Sequence, residues 1–380
     1  MKNTRSPFYV FVATILLVLF SHPLLAQKKH KKNEEPLSII FMIGDGMGLA
    51  QVSSAFYFND SVPNFSQFKT LGLSKTSCTS HKITDSAAGA TAFSIGQKTF
   101  KRAIGLTKDT LRAETILETL SNRGYKTGLV CLTAITHATP ASFYAHENDR
   151  DVNDNIALHL LNEKVDFFSG GGLKFFNKRK DGRDLIKELE NKNYKIHTQQ
   201  EPFDPSKKNG YLLADEGIPS KVEGRKAYLQ EATQLSLDYL DAQKKPFFLM
   251  VEGSYIDWGG HDKNADLMIQ EVLDFDKTIG VVLQYIKKHP NTLLVITADH
   301  ETGGVSLDKF YEKNPVTGKE EEVPSKVAVN FSSNQHTTIL VPVFAKGKSE
   351  ELFSGIYENN EIYHKMMQAL NINTNKLKKN

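Results

Sequence analysis

The stretch LSIIFMIGDGMG, residues 37–48, indicates the fold class of the chain. Residues 37–43 form an almost continuous apolar run, which is typical of a strand buried on both faces of a parallel sheet. The run ends in GDGMG, so Asp45 directly follows the strand. This stretch predicts a central parallel strand with an acidic residue at its carboxyl end.

Five later apolar runs have the same character and occupy residues 127–133, 165–172, 246–253, 292–299 and 337–345. Between the runs at 246–253 and 292–299, apolar residues recur at alternating spacings of four and three: Met268, Val272, Phe275, Ile279, Val282 and Ile286. That spacing predicts an amphipathic helix packed on the sheet. The pattern predicts an α/β fold, with a large mostly parallel central sheet flanked by helices on both faces.

The composition is that of an ordinary globular protein. The chain has 380 residues, of which 40% are hydrophobic and 24% charged, and this excludes disorder, collagen-like repeats and coiled coil. The formal net charge of +3 is too close to neutral to favour nucleic acid as a partner. No internal repeat or flexible linker divides the sequence, so we expect a single catalytic domain over residues 37–380.

The N-terminal residues predict export. A positive segment, MKNTR, precedes a thirteen-residue apolar run at 8–20, and SHPLLA follows it. The run is short for a membrane span, so we interpret residues 1–26 as a signal peptide cleaved near Ala26, an uncleaved anchor being the alternative. Residues 27–36 read as a polar tether. The two cysteines, Cys78 and Cys131, form no disulfide framework, and an apolar context favours Cys131 as a small buried residue.

Residue types that commonly bind metals or phosphate lie at five predicted strand ends, with His336 just before the final strand. In open parallel sheets the carboxyl ends of the strands hold the ligand site. The candidates are Asp45, Thr139, Arg150, Glu252, Asp257, His261, Asp299, His300 and His336. A single acid at such a position commonly caps a helix, but five coincidences at one edge predict a metal site. Nitrogen and carboxylate ligands suit zinc, whereas all-oxygen sets suit magnesium.

Two of these pairs leave their geometry open. Asp257 and His261 converge if DWGGH is helical, but its two glycines also allow a loop. Asp299 and His300 are adjacent, and on a regular strand they would point to opposite faces. They can bind one ion only where the strand ends.

Ser86 precedes the small-residue run AAGATA, which favours a tight helix start. A serine or aspartate there is usually an N-cap. The alternative is a nucleophile at a helix N-terminus, where backbone N–H groups also favour a phosphate.

Six motifs in order resemble those of the alkaline phosphatases: FMIGDGMG, TDSAAGATA, THATPASFYAHENDR, VEGSYIDWGGH, TADH and QHT. They span about residues 41–346. The resemblance implies a secreted or periplasmic phosphomonoesterase, usually a homodimer, with two Zn²⁺ and one Mg²⁺ per subunit. It also implies a phosphoserine intermediate, small phosphomonoesters as substrates, and no stable membrane anchor.

The resemblance implies a role for each matched position. Ser86 would be the nucleophile and Arg150 would bind the phosphate. One zinc would be held by Asp257, His261 and His336, and the other by Asp45, Asp299 and His300. Magnesium would be held by Asp45, Thr139 and Glu252.

Two positions vary within that family, and here they are His137 and Trp258. Both residues are candidates to bind a metal or to support a residue that does. We expect His137 near the magnesium site and able to ligate a metal, which puts a strict preference of that site for magnesium in doubt. The segment 301–335 is short, so we expect any large surface subdomain there to be reduced or absent.

Three alternatives remain. A sulfatase is disfavoured, because Ser86 is followed by AAG and not by the P-x-R context. A phosphodiesterase of the same superfamily would lack the third metal set, whereas Thr139 and Glu252 are present. A non-catalytic metal or phosphate binder would have lost a ligand or Ser86.

Overall fold

The computed structural model describes residues 36–372. The predicted signal peptide, and the predicted tether except Pro36, lie outside the described residues. The strands are β1 (Ser38–Gly44), β2 (Thr70–Lys75), β3 (Lys126–Ala134), β4 (Phe167–Gly171), β5 (Tyr194–His197), β6 (Lys208–Leu212), β7 (Phe247–Gly253), β8 (Thr292–Thr297), β9 (Glu301–Thr302), β10 (Val305–Lys313), β11 (Glu320–Phe331), β12 (His336–Thr337), β13 (Val341–Gly347) and β14 (Gly355–Glu358).

The helices of the described part are α1 (Leu49–Tyr57), α2 (Ser86–Ile95), α3 (Ile116–Asn122), α4 (Ala138–Ala141), α5 (Asn153–Leu158), α6 (Lys174–Asn177), α7 (Leu185–Glu190), α8 (Tyr228–Ala242), α9 (Ile256–His261), α10 (Ala265–Lys288) and α11 (Glu361–Ala369). Within residues 36–372 no helix is both long enough and apolar enough to span a bilayer.

Ten strands form one sheet in the order β14-β2-β13-β8-β1-β7-β3-β4-β6-β5. Strand β1 lies at its centre and pairs in parallel with β7 and β8. Strand β13 is antiparallel to both of its neighbours, β2 and β8. The predicted large, mostly parallel sheet is therefore confirmed.

Alternate residues of β1 enter two separate cores, because successive strand side chains point to opposite faces. Ile39, Phe41 and Ile43 pack in one core with side chains of α2, α3 and α11. Ile40 and Met42 pack in the other with side chains of α1, α8 and α10. Helices therefore cover both faces of the sheet, as the sequence predicts.

The amphipathic helix predicted between the apolar runs at 246–253 and 292–299 is α10. All six of its predicted apolar positions are buried. Asn264 caps its N-terminus by accepting a hydrogen bond from the Leu267 amide at 3.1 Å.

The prediction of one strand over residues 337–345 is wrong. A two-residue strand, β12, pairs with β9, and β13 begins only at Val341. His336 therefore lies within β12 and not in the loop before a long strand. Residues 305–331 form an antiparallel hairpin, β10–β11, as the only regular structure of the short 301–335 connection apart from β9. Cys78 and Cys131 are both buried and free.

Candidate active site

Three buried acids meet at the carboxyl edge of the central strands. Asp45 directly follows β1, Glu252 lies near the end of β7, and Asp299 lies two residues after β8. Since β1 pairs with both of the other strands, the sheet register brings the three ends side by side. This is the edge at which a ligand site is expected in an open parallel sheet.

A first group of possible metal ligands consists of Asp257, His261 and His336, whose ligand atoms lie within 4.8 Å of one another. The Nε2 atoms of the two histidines are 3.1 Å apart. Each Nδ1 faces a backbone carbonyl, that of Asn334 at 2.8 Å for His261 and that of Thr84 at 2.9 Å for His336. Because a carbonyl only accepts, both Nδ1 atoms carry the proton and both Nε2 atoms present lone pairs to the same point.

The sequence leaves open whether the segment DWGGH, which carries Asp257 and His261, is a helix or a loop. In the structure it belongs to helix α9. The segment is helical, so the two residues lie four apart on one face. Its glycines are required by close packing. A Cβ at Gly259 would lie 2.6 Å from the Met268 nitrogen, and one at Gly260 would lie 2.7 Å from the Thr302 oxygen. The same glycines that suggest a loop in the sequence therefore allow this helix to approach its neighbours.

A second group consists of Asp45, Asp257 and His300, also within 4.8 Å of one another. Asp299 lies beside this group, with its Oδ2 3.1 Å from His300 Nε2. Strand β8 has ended at Thr297, so the adjacent Asp299 and His300 are free of the strand's alternation. The family resemblance groups Asp45 with Asp299 and His300, whereas in the structure Asp257 is a member of both groups.

Thr302 orients both groups, and the sequence offers no signal for it. Its hydroxyl donates to Asp257 Oδ1 and therefore accepts from Nδ1 of His300 at 3.1 Å. In the neutral ring Nε2 then carries the lone pair, and this atom lies 3.5 Å from Asp45 Oδ1. A partner on the far ring nitrogen is the usual way in which a protein orients a metal-binding histidine.

Several buried polar atoms at this edge have no hydrogen-bond partner in the described part of the chain. They are Asp45 Oδ1, His137 Nδ1, Thr139 Oγ1, Glu252 Oε1 and Asp299 Oδ2. A buried polar atom without a partner is costly, and such atoms are rare in native proteins. Four of them are oxygens, the ligand type of hard cations, so the residues fit bound metal ions.

The crowding of buried carboxylates in the site also favours the binding of cations. Burial raises the pKa of Asp45 well above its ordinary value, and the nearby carboxylates of Asp299, Asp257 and Glu252 raise it further. Burial raises the pKa of Glu252 to about 7. Burial alone would lower the pKa of His300, but the Asp299 carboxylate raises it above its usual value. Acids crowded in a buried site ionise together only if positive charge is supplied.

Ser86 is the first residue of α2 and lies against the second group. Its Oγ is 3.3 Å from His300 Nε2, and the residue is only 3% exposed. The helix N-cap is Asp85, which accepts from the Ala88 amide at 3.1 Å. The cap is therefore Asp85, and the Ser86 hydroxyl is not needed for capping. A Cβ at Gly89 would lie 3.0 Å from Asp299 Cβ, which explains why the helix starts with small residues.

Arg150 reaches the same place from the segment before α5. Its Nη1 donates to Asp85 Oδ2 at 3.4 Å, and its Nη2 lies 3.3 Å from Nε2 of His137. Burial and the Arg150 charge lower the pKa of His137 to about 3, so its ring is neutral at ordinary pH. A neutral ring accepts the guanidinium N–H through Nε2.

Trp258 directly follows Asp257 in α9. It is 45% exposed, and its ring packs against that of Tyr255, with 4.6 Å between the ring centroids. Arg102 is a residue of the site that sequence reasoning missed. Its backbone N–H donates to Asp85 Oδ2 at 3.1 Å, and its side chain binds the acids on both sides of Arg150, Asp149 and Asp151.

The sheet and the side chains at its edge define a metal-binding α/β enzyme. A family model described as "Alkaline phosphatase" matches residues 37–322 and 309–372. Alkaline phosphatase 3 of Bacillus subtilis is 32% identical over 428 aligned residues, covering 92% of each chain. The chain belongs to the alkaline phosphatase family, and it is a phosphoric monoester hydrolase.

Solved structures agree with this assignment. The alkaline phosphatase from the Antarctic bacterium TAB5 is 43% identical, with a TM-score of 0.85, and the match covers 89% of this chain and 99% of that one. A variant of the TAB5 enzyme with Mg bound in the M3 site matches at 44% identity and a TM-score of 0.86, with the same coverage. Neither a diesterase nor a non-catalytic binder is favoured by these relatives.

Proposed function

We propose that the enzyme hydrolyses small phosphate monoesters through a phosphoserine at Ser86, with two zinc ions and one magnesium ion per subunit. The observation that carries this proposal is the position of Ser86. Its hydroxyl lies at a helix N-terminus and 3.3 Å from a buried histidine whose neighbours are possible metal ligands. A helix N-terminus also favours the negative charge of a phosphate.

We assign one zinc to Asp257, His261 and His336, and the other to Asp45, Asp299 and His300. Asp45, Thr139 and Glu252 are assigned to magnesium. The ions would supply positive charge that lowers the pKa of the Ser86 hydroxyl and offsets the charge of the phosphate. The lone pairs of His261 and His336 support the first assignment, and the three partnerless oxygens support the third.

The residues divide the work of the reaction. Ser86 Oγ forms a bond to phosphorus while the bond from phosphorus to the alcohol oxygen breaks. The serine proton passes through solvent to the departing alcohol. Water then forms a bond to phosphorus, the Oγ–phosphorus bond breaks, and inorganic phosphate leaves. Arg150 binds two phosphate oxygens with its planar fork throughout.

His137 and Trp258 receive different roles. We assign His137 as a further metal ligand near the magnesium site, supported by its neutral ring and by its buried Nδ1, which has no partner in the described chain. Ligation through Nδ1 puts the ring proton on Nε2, so Arg150 would release that nitrogen when it binds phosphate. That ligand would admit zinc there as well, since imidazole suits zinc better than magnesium. Trp258 lies within α9 with an exposed side chain and is assigned no ligand role.

We further propose that residues 37–380 form one catalytic domain, supported by a family match that extends to residue 372. The positive and apolar segments at residues 1–26 support export to the periplasm or the medium. We also propose a homodimer without a membrane anchor, which sedimentation of the purified protein tests.

The test of the proposed function joins metal content to substrate choice. Purified protein is analysed for zinc and magnesium, and its rates on a phosphate monoester and a diester are compared. We expect the monoester to be strongly preferred, the activity to vanish on exhaustive chelation, and zinc plus magnesium to restore it. Full activity after verified metal loss, or a preference for the diester, would refute the proposal.

A further inference from the structure

A cavity of about 440 Å³ borders the first metal-ligand group. It is lined by His81, Lys82, Ile83, Lys101, Gln335 and His336, and is called the basic pocket below. Its volume lies within the range typical of sites for small molecules. His336 belongs both to the pocket wall and to the group formed with Asp257 and His261. The pocket therefore opens directly beside the site assigned to the phosphate.

The two chain segments that form the walls of the basic pocket, at residues 81–83 and at Lys101, are connected to the residues around Ser86. Ile83 precedes Thr84, whose carbonyl binds Nδ1 of His336 at 2.9 Å. Lys101 precedes Arg102, whose backbone N–H donates to Asp85 at 3.1 Å. Both walls are therefore continuous in the chain with residues that surround Ser86.

The two walls are also joined to each other. The Lys101 amide donates to Ser80 Oγ at 3.0 Å, and the same hydroxyl lies 2.8 Å from Nδ1 of His81. The Thr79 amide donates to the Thr99 carbonyl at 2.8 Å. These contacts tie together the two segments that carry Lys82 and Lys101, both of which line the pocket.

The lysines of the basic pocket carry uncompensated charge. Within the described chain, no carboxylate oxygen lies within 4 Å of the ammonium group of Lys82 or Lys101. Lysines elsewhere on the same two segments are compensated, since Lys75 and Lys98 both lie 2.8 Å from Glu358. The positive charge is therefore concentrated at the pocket.

From this geometry we infer that the basic pocket receives the alcohol part of the substrate and selects monoesters that carry a second anionic group there, a carboxylate or another phosphate. This inference rests on the proposed function, because it takes the phosphate being cleaved to lie at Ser86. Each lysine acts as a point charge on the second anion without contacting the reacting phosphorus.

The test compares phenyl phosphate with para-carboxyphenyl phosphate in the metal-loaded enzyme. The quantity measured is the ratio of kcat/KM for the charged substrate to that for the neutral one. In the double variant Lys82→Gln/Lys101→Gln we expect this ratio to fall about fivefold, the combined value of two partly exposed charge pairs. Added salt should shrink the difference, because exposed charges are screened.

Two further variants keep the result interpretable. Lys101→Glu should lower the ratio more than Lys101→Gln, because it adds repulsion. Lys288→Gln, at the end of α10 and at the opposite edge of the sheet, should leave the ratio unchanged. An unchanged ratio in the double variant would overturn the inference while leaving the proposed function intact. Failure of the wild-type enzyme to cleave phenyl phosphate would refute the proposed function instead.

Discussion

The guanidinium group of Arg102 binds Asp149 in a two-point contact, with Nη2 2.7 Å from Oδ1 and Nε 3.1 Å from Oδ2. Asp149 immediately precedes Arg150, and Asp151, which follows it, also contacts Arg102. These contacts raise the pKa of Arg102 above its ordinary value. Arg102 has a left-handed backbone, with φ at 75°, an unusual conformation for a residue other than glycine. We infer that Arg102 is a positioning residue for Arg150.

The first prediction concerns this contact. Arg102→Gln should weaken competitive inhibition by inorganic phosphate about three- to tenfold, because Asp149 and Asp151 would then be left uncompensated beside the phosphate. Inhibition constants measured at low ionic strength test this. Arg183→Gln is the matched control. Arg183, in the segment before α7, forms a similar two-point contact with Glu188 of that helix. Equal phosphate inhibition in Arg102→Gln and wild type would exclude the positioning role.

A second prediction concerns Ser86. Ser86→Ala should lose the phosphoenzyme and most of the rate, while retaining activity above background from direct attack by water. Mass spectrometry of wild-type enzyme quenched during turnover at acid pH should find phosphate on Ser86. Ser94→Ala provides the control, because Ser94 lies in the same helix and donates only to the Thr91 carbonyl. A wild-type rate in Ser86→Ala, with no phosphoserine detected, would remove the nucleophile assignment.

The third prediction concerns Arg150. Arg150→Ala removes a charge-assisted fork to two phosphate oxygens and should lower kcat/KM for monoesters about tenfold or more. Diesters should be affected less, because a diester has one fewer charged oxygen. The measurement is kcat/KM for both substrate types in the wild type, in Arg150→Lys and in Arg150→Ala. The lysine variant should recover only part of the loss, since its single ammonium cannot bind two oxygens in one plane. Equal losses on both substrates would contradict the role.

A fourth prediction concerns stability against pH. The buried carboxylate of Glu118 lies 3.1 Å from His146 Nε2, while His146 Nδ1 faces the Gly105 carbonyl at 2.8 Å. Burial alone would raise the pKa of Glu118. The hydrogen bond and charge of His146, together with the Thr115 amide at 3.0 Å and Arg112 at 2.7 Å, hold it below its ordinary value of 4.5. The stabilisation is therefore complete above pH 4.5 and is lost as the pH falls through the lowered pKa.

Glu118→Gln should consequently cost about 1–3 kcal/mol in free energy of unfolding near pH 7. The difference from wild type should narrow below pH 4.5. Urea unfolding at several pH values measures this difference in free energy of unfolding. The metal-free proteins are used because chelation removes the pH dependence of metal binding. Glu114→Gln, at an exposed position near the start of the same helix, is the control. A difference that stays constant from pH 7 to pH 3 would contradict the role of the Glu118 carboxylate.

Local sequence pattern accounts for the scaffold. The apolar runs predicted the central strands to within one or two residues at most ends, and the spacing of Met268 to Ile286 predicted α10. Both signals work because burial on a sheet or against one helix face imposes a fixed period on neighbouring residues. The same pattern placed metal-binding residue types at strand ends. It missed most of the edge strands, whose residues alternate little and are held by pairing partners far away in the chain.

The arrangement of the site depends on contacts between distant residues. Asp257 meets Asp45, the Thr302 hydroxyl donates to Asp257, and Arg102 binds Asp149 beside Arg150, over separations from 45 to 212 residues. The spacing of apolar residues along the sequence does not predict such contacts. After a strand ends, the direction of a side chain depends on what packs against it. Whether DWGGH is a helix or a loop likewise depended on the close approach of Met268 and Thr302 to its glycines. Residue types and their order along the chain therefore predict which chemistry is available, and long-range packing sets which atoms share it.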